Sequence, residues 1–232
     1  MNFLQNALLG LLALAPLAAP AAAQNADLTV IHGIDGDDLA LDPALPVDVE
    51  VNGGVLLAGF TFGEITDPLN LPPATYNIQI SLADPVNPGA NPTLIDVDID
   101  LAAGENATVI AHLKDDFSLT ASKFTNDLSA VPALNTRLIL HHTAAAPAVD
   151  IVLQRRDFFY TPRFVVNGAT NGAQANLTIP FGLYNLSIFP AGRNRVAFGP
   201  APFVLRPGTI TAAYVVGSPN GTAQIFTLPL AG

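Results

Sequence analysis

The stretch Leu71-Pro-Pro-Ala-Thr-Tyr-Asn-Ile-Gln-Ile80 returns later in the chain as Ile179-Pro-Phe-Gly-Leu-Tyr-Asn-Leu-Ser-Ile188. Both copies have the form apolar-Pro-x-x-x-Tyr-Asn-apolar-polar-apolar. The alternation after each tyrosine has a period of two residues, which is typical of a β-strand with one buried face. The repeat indicates that the architecture comes in two copies.

Other segments repeat in the same order, 102 to 110 residues apart, which indicates an internal duplication. An opening strand ends in His32 and again in His142. Three further matches are Val47-Asp-Val49 with Val149-Asp-Ile151, Ile99–Gly104 with Phe203–Gly208, and Thr108–His112 with Ala212–Val216.

Short alternating runs separated by turn residues predict strands throughout, and no helix is expected after the N-terminal segment. Asn52-Gly53 is a strong hairpin signal, and Asn167-Gly168 is expected to be its counterpart. Ala103-Gly104 is expected to turn the strand Leu94–Leu101 back into Ala107–Leu113. The predicted fold is all-β, with two tandem antiparallel β-sandwich (Ig-like) modules.

The composition excludes several classes of function. The 232 residues carry a net charge of −10, which argues against binding nucleic acid through its phosphates. There is no cysteine, so neither a disulfide nor a thiolate metal ligand is available. The motifs Gly-x-Ser-x-Gly and His-Glu-x-x-His are absent from the sequence as well. We therefore expect a protein that is not an enzyme and needs no cofactor, unless calcium binds.

The N-terminal residues 1–23 have the short apolar run and the Ala-rich end of a secretory signal peptide, although they lack an early Lys or Arg. A membrane anchor is the alternative, but prolines interrupt the run and about 20 apolar residues are needed to span a bilayer. We divide the rest into a first module, 24–126, a linker, 127–136, and a second module, 137–232. The expected location is extracellular or at the cell surface, with the periplasm as an alternative.

The repeated features together resemble the DUF4397 family, whose members are exported bacterial and archaeal domains, often in tandem. The resemblance rests on the strand ending in His, the Val-Asp-Val/Ile strand, the Asn-Gly turn and the Pro-x-x-x-Tyr-Asn strand. It runs from about Asp27 to Leu230 and is stronger around His142–Asp150. It implies a β-sandwich at the cell surface and supplies no catalytic residues.

The charges are divided unevenly between the two copies. Residues 24–132 contain 17 acidic residues against two lysines, a net charge of −15. Residues 133–232 contain seven arginines against two aspartates, a net charge of +5. The modules should therefore attract each other, within a chain or between chains, and a head-to-tail contact would build rings or filaments. The alternative is a scattered set of solvated charges whose effect salt screens.

Two groups of side chains are candidate binding sites. One is the acidic loop, where closely spaced carboxylates suit calcium, although a solvated loop is the alternative; its residues are Asp35, Asp37, Asp38 and Asp42. The row Asp96, Asp98 and Asp100 projects from one face of a strand and could also attract a cation.

The second group combines cations and aromatics, a composition typical of interface anchors, although its rings could equally enter the core; its residues are Arg155, Arg156, Phe158, Phe159 and Tyr160. His32 and His142 are expected to serve the fold, by a hydrogen bond that closes a strand end.

The sequence as a whole predicts a non-enzymatic secreted or cell-surface structural or adhesive protein, assembling through its acidic and basic modules. Its partners would be further copies, as a homo-oligomer or filament, or components of the cell envelope or matrix. The alternative is an extracellular carbohydrate- or peptide-binding module.

Overall fold

The computed structural model describes residues 23–156 and 163–230, which form sixteen strands and one short 3-10 helix, Gly36–Leu39. The strands of the first half are β1 Ala26–His32, β2 Val47–Val51, β3 Gly54–Phe60, β4 Leu69–Leu71, β5 Ala74–Leu82, β6 Thr93–Leu101, β7 Asn106–Leu113 and β8 Leu119–Thr125. Those of the second half are β9 Asn135–His142, β10 Val149–Arg155, β11 Arg163–Ala169, β12 Ala173–Pro180, β13 Gly182–Pro190, β14 Phe198–Leu205, β15 Ile210–Val216 and β16 Gln224–Leu230.

The strands make four sheets of four strands each, two per module. The first module contains sheet A, in the order β4-β1-β7-β8, and sheet B, in the order β3-β2-β5-β6. The second contains sheet C, β12-β9-β15-β16, and sheet D, β11-β10-β13-β14. Each strand of the second module has the same position in its sheet as the strand numbered eight lower has in the first module, so that β9 corresponds to β1 and β16 to β8. This confirms two tandem β-sandwich modules and supports the duplication.

The expected hairpin at Ala103-Gly104 is wrong. Strand β6 belongs to sheet B, but β7 crosses to sheet A and lies parallel to β1, with His32 opposite Ala111. The same parallel pair recurs between β9 and β15. The physical reason is burial, because every residue of β7 from Ala107 to Leu113 is buried, whereas buried and exposed residues alternate along much of β6.

The prediction for Asn52-Gly53 is confirmed, since both residues have positive φ and join β2 to β3. The prediction for Asn167-Gly168 is wrong, because this pair lies inside β11. Gly168 instead corresponds to Gly59 of β3, and both have positive φ. Each accompanies a register shift against the preceding strand, so the pair marks a bulge rather than a turn.

The Pro-x-x-x-Tyr-Asn motif marks the point where the chain crosses from one sheet to the other. The Tyr76 hydroxyl donates to the Pro72 carbonyl at 2.8 Å, and the Tyr184 hydroxyl donates to the Pro180 carbonyl at 2.7 Å. This resembles the tyrosine corner of other β-sandwiches, in which a tyrosine bonds back to the backbone a few residues upstream. The motif is therefore a device of the fold.

The two modules pack directly on each other through sheets A and C, which gives four layers in the order B, A, C, D. Three apolar cores fill the spaces between the layers. The middle core combines first-module residues Ile31, Ile110 and Phe124 with second-module residues Ile139, Ile210, Ala212, Tyr214 and Val216. Sheets A and C are thus buried on both faces, which explains their long apolar strands.

Polar contacts close the rim of this junction. Asp38 accepts hydrogen bonds from Ser218 Oγ at 2.5 Å and from Thr222 Oγ1 at 2.8 Å. The Asn171 amide donates to the carbonyls of Leu113 and Ala144, one in each module. The contacts between the modules are therefore apolar packing with uncharged hydrogen-bond partners at the rim, and the predicted attraction between acidic and basic charges stays a prediction.

Candidate functional site

The outer face of sheet B, which we call the acidic face, carries Glu50 on β2 and the row Asp96, Asp98 and Asp100 on the edge strand β6. Alternation puts these carboxylates in solvent, because the residues between them, such as Ile99, enter the core. The predicted row on one strand face is confirmed. It lies at one end of the four-layer stack.

A ladder of polar side chains on β5 supports this row. The Asn77 amide donates to Asp96 at 2.7 Å and to Asp98 at 2.9 Å, and Gln79 donates to Asp96 at 3.1 Å. Thr75 donates to Asp100. The bonds from Asn77 and then Gln79 lower the pKa of Asp96, so this carboxylate stays charged without a cation.

The outer face of sheet D, which we call the basic face, lies at the opposite end of the stack. Arg163 and Arg193 are exposed there and flank a groove of about 260 Å³ whose lining includes Phe189 and Val165. No hydrogen bond or ion pair of either guanidinium occurs within the described ranges. The two ion pairs in that part of the chain are Lys123–Glu105 and Arg137–Asp127.

Asp48 and Asp150 are buried or half-buried acids that the sequence interpretation passed over. Asp48 accepts backbone N–H bonds from Gly59, Asp84 and Gly89, all at 2.9 to 3.0 Å. Burial alone would raise its pKa, but these three bonds outweigh burial and hold the pKa below its usual value. The sequence does contain a signal for these two acids, because each lies between two apolar residues at the same position of its copy.

The acidic loop does not gather its four carboxylates. Asp35 caps the 3-10 helix by accepting from the Asp37 N–H, Asp42 accepts from the Ala44 N–H, and Asp38 turns to the second module. The loop is compact, since a Cβ on Gly36 would lie 1.7 Å from the Asp42 carbonyl oxygen.

Across residues 23–156 and 163–230, no group of three acidic or histidine side chains is placed to hold a metal ion. Calcium binding by the loop stays a prediction, which titration calorimetry would test.

All four histidines are buried and take part in the fold. His32 Nε2 lies 2.9 Å from the Leu45 carbonyl, and His142 Nε2 lies 3.2 Å from the Ala146 carbonyl, so the equivalent pair closes equivalent strand ends as predicted. His141 stacks on Tyr214 at 4.2 Å between ring centroids, in the core between the modules. Burial lowers the pKa of each histidine, to about 4 for His112 and His141.

The segment of cations and aromatics is described only in part. Arg155 ends β10, and the exposed Arg156 donates its backbone N–H to the Leu183 carbonyl. Phe158, Phe159 and Tyr160 lie outside the described residues. The predicted interface at this segment therefore stays a prediction. No helix in the described part of the chain is long and apolar enough to cross a membrane.

Comparison with known proteins bears on the family. A family model described as "Domain of unknown function (DUF4397)" matches residues 26–152, more than half of the chain. The chain belongs to this family. The match covers the eight strands of the first module and continues into β10 of the second.

The other comparisons add little about function. No curated protein matches this sequence. Among solved structures, the chain is similar to the Bacillus anthracis TIE protein at 12% identity and a TM-score of 0.26. The alignment covers 83% of this chain, which spans 34% of the length of that structure.

Proposed function

We propose that the protein is a non-enzymatic building block of an extracellular or cell-surface assembly, in which the acidic face of one copy binds the basic face of the next. The observation that carries the proposal is the position of the two faces. They are the outermost surfaces of a single stack. When the acidic face of one copy binds the basic face of another, each of the two copies therefore keeps one face free to bind a further copy. Such a heterologous contact propagates into rings or filaments.

The balance of forces favours this contact only when several charges act together. One exposed ion pair contributes about 0 to 1 kcal/mol, and salt screens it. The faces offer a row of three aspartates and Glu50 on one side, and Arg163 and Arg193 on the other, where Asp150 also lines the groove. Each also exposes large apolar residues, including Val55 on the acidic side and Val165 on the basic side, which are 45% and 38% exposed. Their burial would add about 25 cal/mol per Å².

The edge strands make continuation of the sheets a weaker route to assembly. Strand β6 bears the three aspartates, which repel a neighbouring strand of the same kind. Its counterpart β14 has Pro202 at the position equivalent to Asp98 and Pro200 two residues earlier in the strand. A proline has no N–H to donate to an added strand. Association through the faces is therefore favoured over continuation of sheets B and D at β6 or β14.

Light scattering as a function of salt tests the proposal. At about 20 mM salt we expect large species, and at about 500 mM salt, where the screening length is well below 10 Å, we expect a monomer. Asp96→Lys/Asp98→Lys should abolish the large species. Asp67→Lys/Asp115→Lys changes the net charge equally at exposed residues away from the acidic face and should leave them intact. A wild-type monomer at both salt concentrations would refute the proposal.

A further inference from the structure

The two modules close one edge of their sandwiches differently. In the first module, Lys123 on β8 forms an ion pair with Glu105 at 2.8 Å between Nζ and Oε1. The same ammonium donates to the Asp100 carbonyl on β6, which belongs to the other sheet. A salt bridge thus joins the edge of sheet A to the edge of sheet B.

Strand register identifies the equivalent residues in the second module. Lys123 lies opposite Val109 on β7, and Thr227 lies opposite Ala213, which has the place of Val109 on β15. By the same register, Thr209 replaces Glu105. Neither threonine can span the two sheets. A cleft of about 450 Å³ occupies this edge of the second module, between β14 and β16; we call it the edge cleft.

The polar groups of the edge cleft point to an anion that carries hydroxyls. Arg206 is exposed at the cleft, and its guanidinium makes no hydrogen bond or ion pair within the described residues. A free guanidinium favours a carboxylate, which it can bind through two parallel hydrogen bonds. The hydroxyls of Thr211 and Thr227 also line the cleft and have no hydrogen-bond partner in that part of the chain. Each can donate one hydrogen bond and accept two.

Apolar rings line another part of the cleft. Phe203 and Pro229 line the cleft beside the threonines. A pyranose ring has polar edges and apolar faces, so it can meet hydroxyls at its rim and rings on its face. The volume is within the range of pockets that hold small ligands. An extended peptide fits less well, because Pro200 and Pro202 remove the N–H groups that an added strand needs.

We propose that the edge cleft binds a pyranose unit that carries a carboxylate, such as a uronic acid residue of an acidic polysaccharide. Arg206 binds the carboxylate, Thr211 and Thr227 bind ring hydroxyls, and Phe203 contacts the face of the ring. The cleft lies at the edge of sheet D and shares no lining residue with the groove between Arg163 and Arg193. The inference goes beyond assembly and does not depend on it, so failure of either leaves the other standing.

Nuclear magnetic resonance titration tests the site on the full chain. We expect D-glucuronate to shift the amide resonances of Arg206 and Thr227 with a dissociation constant on the order of 1 mM, as is usual for a single small ligand. D-glucose lacks the carboxylate and should bind about tenfold more weakly. Cyclohexanecarboxylate lacks the hydroxyls and should also bind more weakly. Equal binding of the three probes, or shifts away from the cleft, would overturn the proposal.

Variants separate the cleft from general charge effects. Thr209→Glu/Thr227→Lys transfers the salt bridge of the first module to the second and should abolish glucuronate binding. Arg206→Gln should remove the preference for glucuronate over glucose, while Arg195→Gln, at an exposed arginine that does not line the cleft, should keep it. If Arg206→Gln binds like wild type, or if a capped aspartate tripeptide binds the cleft more tightly than glucuronate, the saccharide assignment is wrong.

Discussion

Asp48 and Asp150 occupy the same position in the two modules, and each carboxylate accepts the backbone N–H of a positive-φ glycine on the neighbouring strand. The partners are Gly59, at 2.9 Å, and Gly168, at 2.7 Å. Glycine is required there because a side chain at that φ is strained. The aspartate therefore fixes the bulge in β3 or β11, and this role explains why the acid recurs between apolar residues of β2 and β10.

Replacing these aspartates should destabilise the two modules unequally. Asp48 is 1% exposed and accepts three N–H bonds, whereas Asp150 accepts two and is half-buried. We expect Asp48→Ala to lower the free energy of unfolding by about 3 kcal/mol or more, and Asp150→Ala to lower it by less. Urea unfolding at neutral pH measures both. Equal losses would show that the buried bonds of Asp48 carry no additional stability.

The tyrosine that bonds back to its proline should matter most where it is buried. Tyr184 is fully buried, so Tyr184→Phe leaves the Pro180 carbonyl without its hydroxyl donor at 2.7 Å and should cost about 1 to 2 kcal/mol. Tyr76 is only half-buried, and water can replace its hydroxyl, so Tyr76→Phe should cost less than about 1 kcal/mol. Thermal unfolding of the two variants makes the comparison. A larger loss for Tyr76→Phe would contradict it.

The contact of Asp38 with Ser218 should couple the two modules. A charge-assisted hydrogen bond of 2.5 Å joins them across the junction, and both residues have other contacts that single variants also remove. A double-mutant cycle of Asp38→Ala and Ser218→Ala isolates the pair, and we expect a coupling energy of about 1 kcal/mol. Asp42→Ala with Ser218→Ala is the control and should show no coupling. A value near zero for the first cycle would mean that the contact adds nothing to the junction.

The buried histidines should make the protein labile in mild acid. Burial lowers the pKa of His141 to about 4, below the unfolded value of about 6.5, so the unfolded chain binds more protons as the pH falls through this window. Stability is therefore lost from about pH 6.5 down to about pH 4. One such group accounts for about 2 to 3 kcal/mol of that loss.

The variant His141→Phe keeps a ring between Phe124 and Tyr214 and removes the titrating group. Urea unfolding at about pH 7.5 and pH 4.5 should give a smaller difference for the variant than for wild type. Conversely, an identical difference would mean that His141 does not contribute to acid lability.

Much of the fold can be predicted from the sequence, because a feature that occurs in both copies identifies a pair of equivalent strands. The doubled tyrosine motif and the strand-end histidines locate equivalent strands, and Asn52-Gly53 identifies a true hairpin. The partner of β7 could not be predicted, since an apolar run indicates burial on both faces but not which strand lies beside it. Gly168 could not be read as a bulge from the Asn-Gly dipeptide alone, because that role depends on Asp150 of the neighbouring strand.

The surfaces were harder to predict than the strands. The charge difference between the copies is visible in the sequence, but the placement of the aspartate row and of Arg163 and Arg193 on opposite outer faces depends on the packing of sheet A on sheet C. The edge cleft could not be predicted from the sequence for a similar reason. Thr227 corresponds to Lys123 only through the register of β16 on β15, and the two residues share no local motif.

The most direct test of assembly through opposite faces mixes two charge-reversed proteins. Asp96→Lys/Asp98→Lys/Asp100→Lys makes the acidic face basic, and Arg163→Glu/Arg193→Glu makes the basic face acidic, so neither variant alone should assemble at low salt. In an equimolar mixture each reversed face meets a complementary face, and light scattering should again report large species that dissolve at about 500 mM salt. A mixture that remains monomeric, when the wild type assembles, would contradict the pairing of these two faces.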